Sequence, residues 1–312
     1  MITKNETFDG SFPFRPYFSS APGFNMHYID EGMGAVVLCL HGEPTWGYLF
    51  RHIITQLSGS HRVIAPDHMG FGKSETPADR TYWLQDHINN LEKFVLDQDL
   101  TGITLIMHDF GGPVGMGLAA RHPDRITSVI SLNGPTPFGQ PELAQAWTAN
   151  VNASPWFQWI LQAEKHGKLE KILSEIHYHI LSTLKLNGFE RNELITDTWI
   201  EVYRAAFTSP EESLGVVGWA KGVAIGAHRF EEPSDEAKMK ISNLPALAIW
   251  GAADQTLQGE YLIPLFRKTF PSGHVYELQN AGHYSPEDAP ETIGLLIRQF
   301  LDLTSKNKYS LT

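Results

Sequence analysis

Three residues far apart in the chain have the types, the order and the local settings needed for nucleophilic catalysis: Asp109, Asp254 and His283. Asp109 lies in Ile103-Thr-Leu-Ile-Met-His108-Asp109-Phe110-Gly111-Gly112, an apolar run that meets a glycine pair and continues into the helix-like stretch Val114 to His122. This is the pattern of a nucleophile elbow, where a tight strand-to-helix turn lifts the central side chain over a sheet and glycines permit close backbone approach. A carboxylate there, kept ionised by a helix N-terminus, can attack an electrophilic carbon and form an ester. Taken alone, Asp109 reads equally well as a helix N-cap, a position that aspartate favours.

Three further segments weigh against a mere cap. Asn280-Ala281-Gly282-His283-Tyr284 comes after the final strand-like run and precedes a helix, so an imidazole stands on a loop where it can deprotonate water. Asp254, in Trp250-Gly251-Ala252-Ala253-Asp254, also comes after an apolar run and can orient that imidazole. The order Asp109, Asp254, His283 is the nucleophile, acid, histidine order of elbow enzymes. The string His41-Gly42-Glu43-Pro44-Thr45-Trp46 ends another apolar run. Its Glu43 N–H would pair with the N–H of Phe110 as an oxyanion hole. A lone His41-Gly42 would be read as a turn.

These residues need a common scaffold. Short β-branched runs alternate with turn clusters and amphipathic stretches, which predicts a mostly parallel sheet covered by helices. The expected strands are Asn25 to Asp30, Val36 to His41, Arg62 to Asp67, Ile103 to His108, Ser128 to Asn133, Ala246 to Trp250 and Val275 to Leu278. Ligands collect at the carboxyl ends of such strands, so His41, His108 with Asp109, Asn133, Gly251 to Asp254 and the His283 loop should share one rim. Between Asn133 and about Glu236 the strand rhythm stops and an aromatic-rich helical insertion is expected. The expected division is core over 1–134, helical cap over 135–236 and core again over 237–312. Pro13, Pro16 and Pro22 suggest an extended lead-in.

The composition, 42% hydrophobic and 19% charged over 312 residues, is that of a globular domain. A net charge of −11 without a basic stripe argues against nucleic acid as a partner. No signal pattern or membrane-length apolar run is present, so the expected location is the cytoplasm. The single cysteine, Cys39, reads as a buried small hydrophobe. His177 and His179, two apart on a helix, point in different directions and have no carboxylate partner, so no metal is expected.

The chain resembles the haloalkane dehalogenases and their epoxide hydrolase relatives among the α/β-hydrolases. The segments carrying the resemblance are His41 to Trp46 with Tyr48-Leu49-Phe50-Arg51, Val63-Ile-Ala-Pro-Asp67, Gly70-Phe-Gly-Lys-Ser74, His108 to Gly112 and Gly282-His283. It covers about the first half and last quarter of the chain and is weakest in the cap. It implies an α/β-hydrolase fold with an inserted helical cap, and an Asp109, His283, Asp254 triad. Members place the acid after either of two strands. Asn133 holds the earlier position and cannot be an anion, which leaves Asp254.

Two departures bear on the reaction. Dehalogenases typically have a tryptophan directly after the nucleophile to hold the halide, and many carry an asparagine after the His-Gly pair. This chain has Phe110, which has no donor, and Glu43, whose carboxylate would repel a halide. Some dehalogenases with the His-Gly-Glu-Pro string use a cap tryptophan instead, and Trp156 and Trp159 have suitable spacing. An epoxide hydrolase would need phenol donors from the cap, for which Tyr178 and Tyr203 are candidates. A strained lactone is a third candidate substrate. A non-catalytic ligand receptor of the same fold would be expected to have lost a triad member, and none is lost here. The expectation is a hydrolase of small apolar substrates that uses water and no cofactor, with dehalogenation first and epoxide opening second.

Overall fold

In the computed structural model, residues 2–309 are described, so the first residue of the expected 1–134 segment and the last three of 237–312 lie outside them. Among the described residues, eight strands form one sheet: β1 (Tyr17–Ser19), β2 (Met26–Glu31), β3 (Ala35–Leu40), β4 (His61–Pro66), β5 (Ile103–His108), β6 (Ile126–Leu132), β7 (Ala246–Gly251) and β8 (His274–Leu278). Their spatial order is β1-β2-β4-β3-β5-β6-β7-β8. Pairing is parallel from β4 to β8, while β1 and β2 add an antiparallel edge. Every residue of β5 and β7 is buried, because helices cover both faces of a parallel sheet. Such strands show unbroken apolar runs, which is why they stand out in the sequence. β1 lies within the proline-rich lead-in, and its three residues are too few to show a period.

Register brings the chemistry together. Leu40 of β3 pairs with Met107 of β5, His108 of β5 with Leu132 of β6, and Leu132 with Ile249 of β7. Each strand therefore ends at nearly the same height, and the loops leaving these ends emerge on one rim.

Between β6 and β7 the chain forms helices over Leu143–Ala153, Pro155–Lys165, Leu169–Leu173, Ile176–Asn187, Asp197–Arg204, Leu214–Ala224 and Asp235–Ser242. Local chemistry sets several ends. Ser154, Thr196 and Ser234 each accept a backbone N–H three residues on, as N-caps. Gly188 closes Ile176–Asn187 in the left-handed conformation. The expected boundary at 236 falls inside Asp235–Ser242, which packs on Gly111–Arg121 and Gly259–Thr269 beside the sheet.

A buried clasp ties the helical segment to the core. Arg51 forms a two-pronged ion pair with Glu287, which also receives the Tyr203 hydroxyl and the Trp199 indole N–H.

Candidate active site

Asp109 sits at the end of β5 with a positive φ of 52°, a costly conformation for a residue with a Cβ. The turn that imposes this strain is fixed at once: Gly112 N–H bonds the Asp109 carbonyl at 2.9 Å and the helix Gly111–Arg121 begins there. A side chain at Gly42 would place its Cβ 2.2 Å from Asp109 Oδ1, so only glycine lets the two loops meet. Asp109 is 8% exposed. Burial raises its pKa, and His283 together with the N–H groups of Phe110 and Glu43 pull it back only in part. The helix Gly111–Arg121 starts two residues after Asp109, and the N–H groups of Phe110 and Glu43 favour its ionised form.

The two carboxylate oxygens differ in their surroundings. Oδ1 accepts the Glu43 N–H at 2.8 Å, whereas Oδ2 lies 3.5 Å from His283 Nε2. That ring nitrogen is buried and has no hydrogen-bond partner among the described residues. The other, Nδ1, donates to Asp254 Oδ2 at 3.0 Å. Burial disfavours the imidazolium, but Asp254 and Asp109 outweigh it and hold the His283 pKa above its usual value.

Asp254 is held by three further donors besides His283. Thr256 N–H and Leu257 N–H bond Oδ1 at 2.7 and 2.8 Å, and Asn133 Nδ2 bonds Oδ2 at 2.8 Å. Asn133 is itself anchored on β7, since its Oδ1 accepts Gly251 N–H at 2.9 Å and its Nδ2 makes a longer contact to Gly251 O. The position that could not supply an anion thus supplies a donor to the residue that can. His108 Nε2 donates to the His283 carbonyl at 2.9 Å and His283 N–H to Gly188 O at 2.8 Å, which locks the histidine loop. His41 likewise acts as a brace: Nδ1 donates to Gly42 O and Nε2 accepts His68 N–H.

Glu43 is 4% exposed, and its carboxyl pKa is pushed well above the usual range by burial and by Asp109. Both effects disfavour the carboxylate form that would repel a halide. Phe110 is 2% exposed, with Trp219 stacked on it at 4.1 Å and the rings of His68, His87 and Phe71 around it. Its N–H, not its side chain, turns toward Asp109.

The contacts of the cap residues expected at the site are made with other partners. Trp156 and Trp159 stack on each other at 5.1 Å and line a slot of about 180 Å³ with Leu173, Ile176, Thr183 and Leu186. No ring contact or hydrogen bond joins either indole to Asp109, Phe110 or His283 among the described residues. Tyr178 is 76% exposed, which disfavours it as a phenol donor to a ring oxygen held at the buried Asp109. Tyr203 is buried, but its hydroxyl is given to Glu287. A phenol beside His283 is that of Tyr284, whose oxygen accepts Asn187 Nδ2 at 2.9 Å and lies 3.5 Å from Glu43 O. Only its adjacency to His283 hints at this in the sequence. Asn187 has no such signal, since it ends a helix inside the weakly patterned insertion.

Elsewhere, Cys39 is buried in β3 and its thiol is pushed up by burial. No group of three or more His, Cys, Asp or Glu among the described residues is placed to hold a metal ion. No helix among them is long and apolar enough to cross a membrane.

Comparison with known proteins gives a consistent result. Residues 35–290 match the alpha/beta hydrolase fold family. A cis-3-alkyl-4-alkyloxetan-2-one decarboxylase of Shewanella oneidensis is 30% identical, over 95% of this chain and 91% of its own length. Haloalkane dehalogenase 2 of Mycobacterium tuberculosis is 30% identical, over 92% of this chain and 94% of its own. A haloalkane dehalogenase of Psychrobacter cryohalolentis reaches 32%, over 88% and 87%. Among solved structures, a variant of an epoxide hydrolase from Bacillus megaterium superposes with a TM-score of 0.74 at 23% identity, covering 92% of this chain and all of that one. The chain belongs to the α/β-hydrolase superfamily and is a hydrolase related to its haloalkane dehalogenases.

Proposed function

We propose that this hydrolase works through a covalent ester on Asp109 and that carbon–halogen bonds of small apolar molecules are its substrates. One observation carries the reading: the two oxygens of Asp109 face different partners, Oδ1 the Glu43 N–H and Oδ2 the His283 side. Oδ2 attacks the carbon, the carbon–halogen bond breaks, and the halide leaves with the electron pair. The ester carbonyl oxygen is then Oδ1, already seated where Glu43 N–H and Phe110 N–H can hold the oxyanion of the next step. His283, aligned by Asp254, takes a proton from water at Nε2, and the resulting hydroxide attacks the ester carbon. Collapse releases the alcohol and restores Asp109, and His283 gives its proton to solvent, so the net products are alcohol, halide and a proton. Losing one oxyanion donor costs on the order of 10²-fold in rate.

Carbon–halogen cleavage is favoured by the two dehalogenase relatives. A second reading, opening of a strained oxygen ring, is favoured by the raised pKa of the buried Glu43 carboxyl and by the relative that acts on an oxetanone. A ligand receptor without activity fits poorly with an imidazole held between two carboxylates at 3.0 and 3.5 Å. The test is a single turnover of excess enzyme with 1-bromohexane in heavy-oxygen water. The mechanism puts the heavy oxygen into Asp109 and the old Asp109 oxygen into hexanol. Label in the alcohol from the first turnover would contradict it.

A further inference from the structure

We propose that Glu43 is a proton donor to the departing oxygen of an epoxide opened at Asp109, a role that rests on the covalent aspartyl reading above. Two buried glutamates in this chain show the contrast. Glu287 is saturated: Arg51 pairs with both of its oxygens, and Tyr203 and Trp199 add donors. Glu43 is equally sequestered, yet its Oε1 has no hydrogen-bond partner among the described residues. Its main-chain N–H lies against Asp109 Oδ1, so its side chain springs from the backbone that touches the attacking group.

A buried carboxyl with no cation to pair it stays protonated, and an unpaired buried polar atom costs roughly 1 to 3 kcal/mol. Such a cost persists where a reacting group uses the atom. The charge environment fits, because burial and the charge of Asp109 both push the Glu43 pKa well above its usual range. Alkylation removes that charge. At the moment Asp109 becomes a neutral ester, the repulsion against a Glu43 carboxylate disappears, so Glu43 becomes more acidic as the leaving oxygen becomes basic.

The step balances. Asp109 Oδ2 forms a bond to the ring carbon, the ring carbon–oxygen bond breaks, and its electron pair takes the Glu43 proton to give a hydroxyl. After ester hydrolysis, the proton that His283 took from water returns through solvent to Glu43, and the net reaction is epoxide plus water to diol. The loop after β3 thereby does the work expected of Tyr178 and Tyr203, of which one is exposed and the other is bound to Glu287. A halide leaving group needs no proton, and the same neutral acid does not repel it.

The test measures ester formation on Asp109 in a His283→Phe background by time-resolved intact-protein mass spectrometry, using 1,2-epoxyhexane and 1-bromohexane. Adding Glu43→Gln should slow the epoxide more than the bromide by ~10²-fold or beyond, the usual range for a lost general acid. Equal losses with both probes overturn the proposal. If Glu43→Gln does not fold, the His283→Phe protein in heavy water decides: a larger solvent isotope effect with the epoxide than with the bromide supports it, and equal effects overturn it. An ester with the bromide but none with the epoxide in the His283→Phe protein overturns the Glu43 role alone. No adduct on Asp109 with either probe overturns the aspartyl reading as well.

Discussion

Asn133 Nδ2 donates to Asp254 Oδ2 at 2.8 Å, the same oxygen that receives His283 Nδ1 at 3.0 Å. The two strand ends at which this family can place its acid therefore meet in one hydrogen bond. Asp254→Asn should slow ester hydrolysis by ~10²-fold to 10⁴-fold, as loss of the histidine's orienting anion does elsewhere. Adding Asn133→Asp returns an anion to the same contact and should recover about tenfold or more of that loss. A stopped-flow comparison in which the double variant is no faster than Asp254→Asn contradicts the shared-contact account.

Phe110→Trp should not improve halide displacement. Trp219 already stacks on residue 110 at 4.1 Å, and Phe110 has almost no exposed surface, so the larger indole overpacks the site. The expected cost is roughly 1 to 3 kcal/mol of stability. Faster bromoalkane turnover with unchanged urea stability would show that a donor at 110 does reach the leaving group.

The pH profile carries a sign. In the free protein, Asp109 is one of the anions that raise the His283 pKa. Esterification by a bromoalkane removes that anion, so His283 in the ester titrates lower than in the free protein. Hydrolysis needs neutral His283 and is lost as pH falls through the lower value. The acid limb of single-turnover hydrolysis should lie below the His283 titration seen by NMR in the free protein. A limb at or above that titration contradicts the assignment.

Glu287→Ala should destabilise the chain by roughly 3 to 5 kcal/mol, because it leaves the Arg51 guanidinium buried without its carboxylate. It also removes the acceptor of the Tyr203 hydroxyl and the Trp199 indole N–H, both buried, which adds to the loss. Urea titration checks this, and a loss within ~1 kcal/mol, the range of an exposed pair, would mean that the clasp is not what secures the helical segment.

How far the sequence can be read depends on what local patterns encode. Buried parallel strands such as β5 and β7 are written as unbroken apolar runs, so their ends, and with them Asp109 and Asp254, are legible. The reach of cap side chains is not. Tyr178 and Tyr203 are both tyrosines on helices, yet one is exposed and the other is bound to a glutamate 84 residues away. Spacing along a helix does not report which face meets another element. The raised pKa of Glu43 is hidden for the same reason, since it comes from burial and from Asp109, 66 residues away in the chain. Asn133 is conspicuous in the sequence for the charge it lacks, while its donor role needs the register of β6 against β7.

The most direct test of the central claim is peptide mapping of the His283→Phe protein after exposure to 1-bromohexane. Blocking the water-activating step should trap the alkyl group, giving a mass increase equal to the substrate less hydrogen bromide, located on Asp109 and absent when Asp109→Asn is added. An unmodified protein that still releases bromide, or an alkyl group found on any other residue, would contradict the covalent aspartyl mechanism.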